Sequence, residues 1–479
     1  MVVLVAGMVV VGWGPRLSWG LLQDEAFTAW QAQGGWTGIV PAKLVNPGQS
    51  ALFAFLEVPF YFPHSPHMEL WLRVPAMLGT ALACFFLYRL AETLAGAGTG
   101  ALAVLAFVGN LTVLTYSTQA RPYTFAVAAC LAALWGIVQW LATKSRRHGL
   151  LFAVSLALIF YFHFLFGVFV LIPALVIWNH ARRGGFVDVR GLVGWLAVSA
   201  LLLLPLIPLA RIFATGHGGF APFRLPGPND LLLTLVPGSL LLGAIAFLLM
   251  LPVAGRPALR TLKDRSARPL LVLLLTWLIA PPVILFVGSH VVHQAILIDR
   301  YFIHTIAAQA LLVAFAFRGF PPVLARVGLL ACFLTFPIIW GLREKPDGPG
   351  SWRRPVQAVR ALDPAGTAPV FMQAGHPQAD ALDWKHGVER NSWVFSPLVT
   401  YPLPNRVYPL PFTLNDEVKD YVQHAATSEL AEAPVIFYAG LRERPLTDWI
   451  PQFFASRGYT TTVAVTEDQG LLVMRKAPR

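Results

Sequence analysis

The chain has 479 residues, of which 56% are hydrophobic and only 13% are charged. Soluble domains carry about a quarter charged residues, so this composition indicates a membrane protein with many spans and excludes an ordinary soluble enzyme. The net charge of +12 is concentrated in basic loops between apolar segments, a pattern of membrane topology rather than of nucleic-acid binding.

Apolar runs predict about eleven membrane-spanning helices between residues 1 and 342. The expected spans cover approximately residues 2–19, 70–90, 100–116, 123–141, two within 149–178, then 192–212, 231–253, 270–291, 301–317 and 323–340. The first span has no basic amino-terminal region and no small-residue cleavage site, so we expect it to be retained.

The segment 149–178 decides the topology. It has about thirty residues, too many for one comfortable membrane helix, and is interrupted near His163. Basic residues lie at both of its ends, and basic loops face the cytoplasm: Lys144, Arg146, Arg147, Arg182, Arg183 and Arg190. We therefore predict two short helices with His163 at their outward turn. This count places the first loop, Arg121, Asp299, Arg300 and residues 343–479 outside the membrane.

The first outer loop, residues 20–69, begins with an acidic pair, Asp24 and Glu25. Segments 25–33 and 50–62 are amphipathic or apolar and rich in aromatic residues, which predicts helices lying in the membrane interface. Carboxylates are expensive near hydrocarbon, so the pair is a candidate functional site. The alternative is a solvated pair that only marks a helix end.

Residues 343–479 have mixed polarity and turn signals, and we predict a small extracytoplasmic α/β domain there. The expected elements are helices at 351–362 and 448–457, strands at 370–372 and 435–438, and a hairpin over 459–474 that turns at 467–469. The proline-rich stretch 397–411 is expected to be an extended loop. Ala374-Gly375-His376 is too weak a signal for a phosphate-binding loop.

Two outward-facing arginines, Arg121 and Arg300, run against the usual charge bias of membrane proteins. A lipid phosphate outside the membrane would explain them, since a guanidinium group binds phosphate bidentately. The alternative is a pair of structural ion pairs, Arg121 with Asp24 and Arg300 with Asp299. His163 alone is more often a hydrogen-bonded turn residue than a ligand or base.

No metal site is predicted from the sequence. Four other histidines lack diagnostic spacing, and the three cysteines lie inside apolar runs: His64, His67, His290, His293, Cys84, Cys130 and Cys332.

Five short motifs follow one another in a specific order. They are Gln23-Asp24-Glu25-Ala26-Phe27-Thr28-Ala29, Glu69-Leu70-Trp71-Leu72-Arg73-Val74-Pro75, Tyr116-Ser117-Thr118-Gln119-Ala120-Arg121-Pro122-Tyr123, Tyr161-Phe162-His163-Phe164 and Asp299-Arg300-Tyr301-Phe302. In this order they resemble the C-type multi-spanning glycosyltransferases, in the branch of protein O-mannosyltransferases and lipid A aminoarabinose transferases. Relatives commonly carry a His-Pro-Pro-Leu-Tyr-like stretch in the first loop, where this chain has Asn46-Pro47-Gly48-Gln49-Ser50.

The resemblance implies an enzyme that moves a sugar from a polyprenyl-phosphate donor to a lipid, glycan or protein acceptor, with inversion. It implies a bacterial plasma-membrane protein whose active site faces outward. Asp24 is then the expected general base, and the donor phosphate binds Arg121, Arg300, Tyr123 and Tyr301. Glu25 would orient the acceptor, tune Asp24 or hold a divalent cation, and no other cofactor is expected. His163, Asp299 and Lys43 are further cavity candidates.

Two other classes of function stay open at this stage. A lipid or sugar transporter, such as a flippase, should carry binding groups in broken helices together with internal repeats, and the sequence indicates neither. A non-catalytic membrane scaffold is possible if the polar residues form only ion pairs.

Overall fold

The structure is a computed structural model that describes residues 12–45, 50–214, 224–236, 238–254, 267–341, 351–442, 444–466 and 468–477. Its contacts divide the chain into two compact units. We call Met1–Leu17, Val40–Leu56 and Arg73–Arg343 the helical unit, and Ser18–Ile39, Glu57–Leu72 and Glu344–Arg479 the mixed unit. Several predicted features lie wholly or partly outside the described residues: the first span up to residue 11, residues 46–49, the basic loop 255–266 and Glu467 in the hairpin turn.

Helices dominate the chain up to residue 341. In chain order they are α1 (Gln23–Gln33), α2 (Gly35–Val45), α3 (Ala51–Glu57), α4 (Met68–Ala95), α5 (Thr99–Val108), α6 (Leu111–Ser117), α7 (Tyr123–Thr143), α8 (Arg146–Phe162), α9 (Leu171–Arg182), α10 (Val189–Leu203), α11 (Ile207–Ala214), α12 (Pro228–Leu235), α13 (Gly238–Ala254), α14 (Arg268–Val291), α15 (Thr305–Phe317) and α16 (Pro322–Gly341). Short 3-10 turns lie at Val58–Phe60, Phe164–Val170, Leu204–Leu206 and Asp299–Tyr301.

Within the described residues, five segments are long and apolar enough to cross a membrane: Met68–Ala95, Tyr123–Thr143, Phe164–Arg182, Val189–Arg211 and Arg268–Val291. Two bent helix pairs raise this number to seven when each pair counts as one span. Thr305–Phe317 and Pro322–Cys332 are shorter apolar helices. A polytopic helical protein is therefore confirmed, whereas the count of about eleven spans stays a prediction.

The predicted span 100–116 is not one continuous helix. Helices α5 and α6 meet at Gly109 and Asn110 with a bend of 71°. Glycine is a poor helix former, and Asn110 starts the next helix by accepting a hydrogen bond from the backbone N–H of Thr112 at 2.9 Å. The expectation of an unbroken span was wrong here, and the chain does contain a broken helix.

The predicted division of segment 149–178 is confirmed. Helix α8 ends at Phe162, His163 has extended backbone angles, and a 3-10 turn starting at Phe164 leads into α9. That the two helices form a hairpin turning outside the membrane stays a prediction.

The helical unit buries one large apolar core and two small separate apolar clusters. Among the five continuous spans, the most enclosed is α7, where 72% of the apolar stretch is buried, whereas only 11% is buried in the span Val189–Arg211. Large exposed apolar faces are usual for helices that contact lipid. Arg73 is only 2% exposed and donates through Nη1 to the carbonyl oxygens of Arg16, at 2.9 Å, and Leu17, at 3.2 Å. This motif residue therefore stabilises the end of the short helical stretch over residues 12–17.

The mixed unit contains a five-stranded sheet. Its strands are β1 (Val370–Gln373), β2 (Val407–Leu410), β3 (Val435–Leu441), β4 (Tyr459–Val465) and β5 (Gln469–Lys476), in the order β2-β1-β3-β5-β4. β1 is parallel to β2 and β3, whereas β5 is antiparallel to β3 and β4. Helices α17 (Arg353–Leu362), α18 (Pro397–Thr400), α19 (Asp416–Thr427) and α20 (Pro445–Ala455) accompany the sheet. A small α/β fold is confirmed.

The proline-rich stretch 397–411 was wrongly predicted as an extended loop. It contains α18 and strand β2. Proline is tolerated in β2 because this strand forms an edge of the sheet. The backbone N–H that Pro409 lacks is therefore not needed for pairing with a neighbouring strand. Helix α19 was not predicted, although Asn415 caps it by accepting from the Val418 N–H at 2.9 Å.

Candidate functional site

The acidic pair lies in the first turn of α1, not in a loop before it. The helix amino terminus favours both negative charges. The Glu25 carboxylate accepts a hydrogen bond from the backbone N–H of Leu22 at 3.0 Å, which closes the start of the helix. Glu25 is fully buried, whereas Asp24 is half-buried. The two neighbouring carboxylates therefore have different environments, and Asp24 is the more accessible.

A second buried acid, Glu57 at the end of α3, was missed by the sequence analysis. Its side chain is fully buried, and neither carboxylate oxygen has a hydrogen-bond partner among the described residues. Burial raises the pKa of the Glu57 carboxyl group well above its usual value, and the nearby Glu25 carboxylate raises this pKa further. A signal was present in the sequence, because Glu57 is the sole charged residue between Ser50 and Pro63.

The two buried acids do not amount to a metal site. In the part of the chain that the structure describes, no group of three or more His, Cys, Asp or Glu side chains could hold a metal ion. Glu25 already accepts a backbone hydrogen bond. A divalent cation near Glu25 therefore stays a prediction.

In the helical unit, the structure brings together five residues predicted from three separate motifs. Buried Arg121 donates through Nη2 to the Tyr123 hydroxyl at 3.2 Å, and its guanidinium lies 5.5 Å from the centre of that ring. The His163 ring lies 5.6 Å from the Tyr123 ring and 4.9 Å from the Tyr301 ring. The Arg300 guanidinium lies 5.3 Å from the Tyr301 ring. We call Arg121, Tyr123, His163, Arg300 and Tyr301 the arginine cluster.

The arginine cluster carries its positive charge on the guanidinium groups and not on the histidine. Burial lowers the pKa of His163 to about 3, and the charges of Arg121 and Arg300 contribute in the same direction. Although part of the residue is exposed, its Nδ1 atom is enclosed and has no hydrogen-bond partner among the described residues. Two cations around a neutral imidazole are suited to binding an anion.

Asp299 was predicted as a cavity residue, and it lines two cavities of the helical unit. One has a volume of about 270 Å³ and includes Asn110 from the helix break in its wall. The other has a volume of about 570 Å³ and includes Tyr116 and Arg224. Leu233 and Thr234 also belong to both walls. Mostly apolar walls with a few polar groups suit an amphiphilic ligand.

The predicted site residues thus fall into two groups. The arginine cluster and Asp299 belong to the helical unit, while Asp24 and Glu25 belong to the mixed unit together with Glu57. Lys43 lies in α2, and its side chain is outside the described part of the structure.

Comparison with known proteins identifies the fold. No family model matches the chain, and no curated protein matches it. ArnT from Cupriavidus metallidurans in the apo state has a TM-score of 0.60 at 13% identity, covering 100% of this chain and 99% of that chain. The same protein bound to undecaprenyl phosphate has a TM-score of 0.58 with the same identity and coverage. The Archaeoglobus fulgidus oligosaccharyltransferase in complex with Zn and sulfate gives a TM-score of 0.50 at 12% identity, over 98% of this chain and 72% of that chain. The chain therefore shares its fold with ArnT and with this oligosaccharyltransferase, as the resemblance of its motifs led us to expect.

Proposed function

We propose that this protein is a membrane glycosyltransferase that moves a sugar from a polyprenyl-phosphate carrier to an acceptor outside the bacterial plasma membrane. The observation that carries the proposal is the arginine cluster, in which two guanidinium groups and a neutral histidine pack against the same two tyrosine rings. It is supported by the shared fold with a protein that binds undecaprenyl phosphate.

The leaving group explains the need for arginine. A lipid phosphate leaves as a stable anion, so it requires fixed positive charge rather than a proton from a general acid. Arg121 and Arg300 supply that charge in our proposal. The Tyr123 hydroxyl holds Arg121 in place through its hydrogen bond, and neutral His163 adds no charge that would change with pH near neutrality.

Asp24 is the general base in this proposal. An acceptor hydroxyl is a poor nucleophile until a carboxylate takes its proton. The hydroxyl oxygen forms a bond to the anomeric carbon, the bond from that carbon to the phosphate oxygen breaks, and the proton passes to Asp24. A single displacement of this kind inverts the anomeric configuration. Glu25 is fully buried and hydrogen-bonded to Leu22, so it is better suited to shaping the helix start.

The test uses the full-length protein in lipid nanodiscs with the polyprenyl-phosphate sugars extracted from bacterial membranes as donors. Release of free polyprenyl phosphate in the presence of the membrane acceptor fraction measures transfer. We expect Asp24→Asn to lower the rate by about 10²–10⁴ fold. Asp416→Asn is the matched control, because Asp416 also lies in a first helical turn but is 93% exposed in its side chain. A wild-type rate in Asp24→Asn would remove Asp24 from the role of base.

A transporter or flippase remains the second candidate because of one observation. The helix break at Gly109 and Asn110 lines a cavity, and broken helices at a binding site are typical of transporters. The two functions differ in their products. Transfer releases free polyprenyl phosphate, whereas a flippase in proteoliposomes moves the intact donor to the other leaflet.

A further inference from the structure

One face of helix α1 is buried against the carboxy-terminal part of the mixed unit. Phe27 is fully buried, and the edge of the Trp393 ring packs against it with 5.3 Å between centroids. The Trp30 indole N–H donates to the backbone carbonyl of Asn391 at 2.8 Å. The His376 ring also packs against the Phe27 ring, with 6.1 Å between their centroids. Residues more than three hundred positions away therefore enclose the helix that carries the acidic pair.

The side chain of Gln23, at the first position of α1, packs against Gly375 in the loop that follows β1. A Cβ atom added at Gly375 would lie 2.8 Å from Gln23 Cγ and would overlap its amide group. β1 has β2 on one side and β3 on the other, and the carboxyl end of such a central parallel strand is where α/β sheets usually bind ligands. In this protein α1 occupies that position.

A buried hydrogen-bond network stabilises the segment just before α1. The Leu21 N–H donates to the Tyr401 hydroxyl at 2.7 Å, and that hydroxyl donates to Glu69 at 3.1 Å. The Arg353 guanidinium lies 3.3 Å from the same carboxylate oxygen of Glu69. Leu22 and Ser351 form an isolated antiparallel β-bridge.

We infer that the carboxy-terminal α/β part is a positioning element, which fixes α1 and thereby sets the direction of the acidic pair. Helix α1 has 11 residues, and isolated helices shorter than about 12–15 residues are marginal in water. Contacts with Tyr401 and Gly375 at its amino-terminal end, and with Trp393 further along at Phe27, fix both its axis and its rotation. Gly375 and Tyr401 are positioning residues for Asp24, a role that rests on the proposed function.

A double-mutant cycle tests this inference in the full-length protein. Gly375 has no positive φ angle, so its backbone can accommodate alanine. The nearest atoms to the added Cβ belong to the Gln23 side chain. We expect Gly375→Ala to speed hydrogen–deuterium exchange of residues 18–33 and to lower kcat about tenfold at unchanged donor KM. Gln23→Ala removes the atoms that the new Cβ would meet. The double variant should therefore recover to within about threefold of wild type in both measurements.

Tyr401→Phe is a second variant that adds no bulk. It removes the hydroxyl bonded to Leu21 and Glu69, and we expect faster exchange at residues 18–33 but not in β3. Wild-type exchange at residues 18–33 in both Gly375→Ala and Tyr401→Phe would overturn the inference, as would a double variant no better than Gly375→Ala. Failure of the proposed function is distinguishable, because Asp24→Asn would then turn over normally while the exchange results still hold.

Discussion

The carboxyl groups of Glu57 and Glu25 are both fully buried, and the charge of Glu25 adds to burial in raising the pKa of Glu57. Glu57 therefore holds its proton in the folded protein over a pH range in which the unfolded chain releases it. The protonated Glu57 therefore contributes its full stability to the fold below about pH 4.5, the usual pKa of a glutamate. This contribution is lost as the pH rises toward the folded-state pKa. The cost at neutral pH is about 1.4 kcal/mol for each pH unit of the increase in pKa.

We predict that Glu57→Gln raises the free energy of unfolding of the protein at pH 7.5 and has little effect on it at pH 4. The amide cannot ionise, so this variant does not incur the cost of keeping the buried group protonated. Thermal unfolding followed by tryptophan fluorescence in detergent at a series of pH values measures the difference. Glu417→Gln, at an exposed position in α19, is the control.

The same experiment tests whether Glu57 helps to hold the divalent cation that was predicted near Glu25. If Glu57→Gln destabilises the protein at pH 7.5, Glu57 is ionised in the folded state, as it would be beside a bound divalent ion. Added EDTA should then lower the melting temperature of the wild type but not of Glu57→Gln. An EDTA effect of equal size in both proteins would remove Glu57 from any cation site.

A second prediction concerns the arginine cluster. We expect Arg121→Lys or Arg300→Lys to weaken binding of undecaprenyl phosphate about tenfold, and the alanine variants to weaken it further. Lysine keeps the charge but loses the planar group that binds two phosphate oxygens and stacks on the tyrosine rings. Binding to nanodisc-embedded protein is measured by competition with a fluorescent polyprenyl phosphate.

Arg182→Lys is the matched control for this series, since Arg182 also lies over an aromatic ring, that of Trp178, at 5.3 Å. Arg182 is not a member of the arginine cluster and is exposed. Wild-type affinity in both Arg121→Ala and Arg300→Ala would assign the two arginines a structural role and place the phosphate site elsewhere.

A third prediction concerns His163 and acid stability. The folded-state pKa of about 3 lies below the ordinary value of 6.5, so the unfolded chain binds the proton first as pH falls. Stability is therefore complete above about pH 6.5 and decreases as pH falls toward 3. His163→Gln removes this proton uptake and should show a smaller decrease in melting temperature between pH 7 and 5. His424→Gln, at an exposed position, should behave as wild type does. Parallel curves for wild type and His163→Gln would mean that His163 titrates normally.

Local patterns predicted the apolar helices, the division at His163 and four of the five strands, because each follows from composition or periodicity over a short window. Strand β2 was not predicted, since its one proline, Pro409, is acceptable only at the edge of the sheet, and the edge position depends on the complete topology. The helix break at Gly109 was not predicted, because in the sequence this residue is only one of many glycines. Contacts such as that between Leu21 and Tyr401, separated by 380 positions, have no local signature at all. All members of the arginine cluster nevertheless lie in motifs that were recognised in the sequence.

The last prediction tests the membrane topology. With two helices in segment 149–178, the acidic pair and the carboxy-terminal domain lie outside, and the basic residues at 144–147 and 182–190 lie in the cytoplasm. With one span there, the basic loop 182–190 would lie outside and the carboxy-terminal domain inside. Positive residues are retained on the cytoplasmic side, so we expect the first arrangement.

Single cysteines in a background without Cys84, Cys130 and Cys332 decide between the two arrangements. Ser428 is exposed at the end of α19, and Ala181 is exposed near the end of α9 beside the basic residues. In intact spheroplasts, Ser428→Cys should react with a membrane-impermeant maleimide. Ala181→Cys should react only after the membrane is opened. The reverse pattern would place Ser428 in the cytoplasm and contradict an outward-facing transferase, since the domain proposed to position Asp24 would then lie on the wrong side of the membrane.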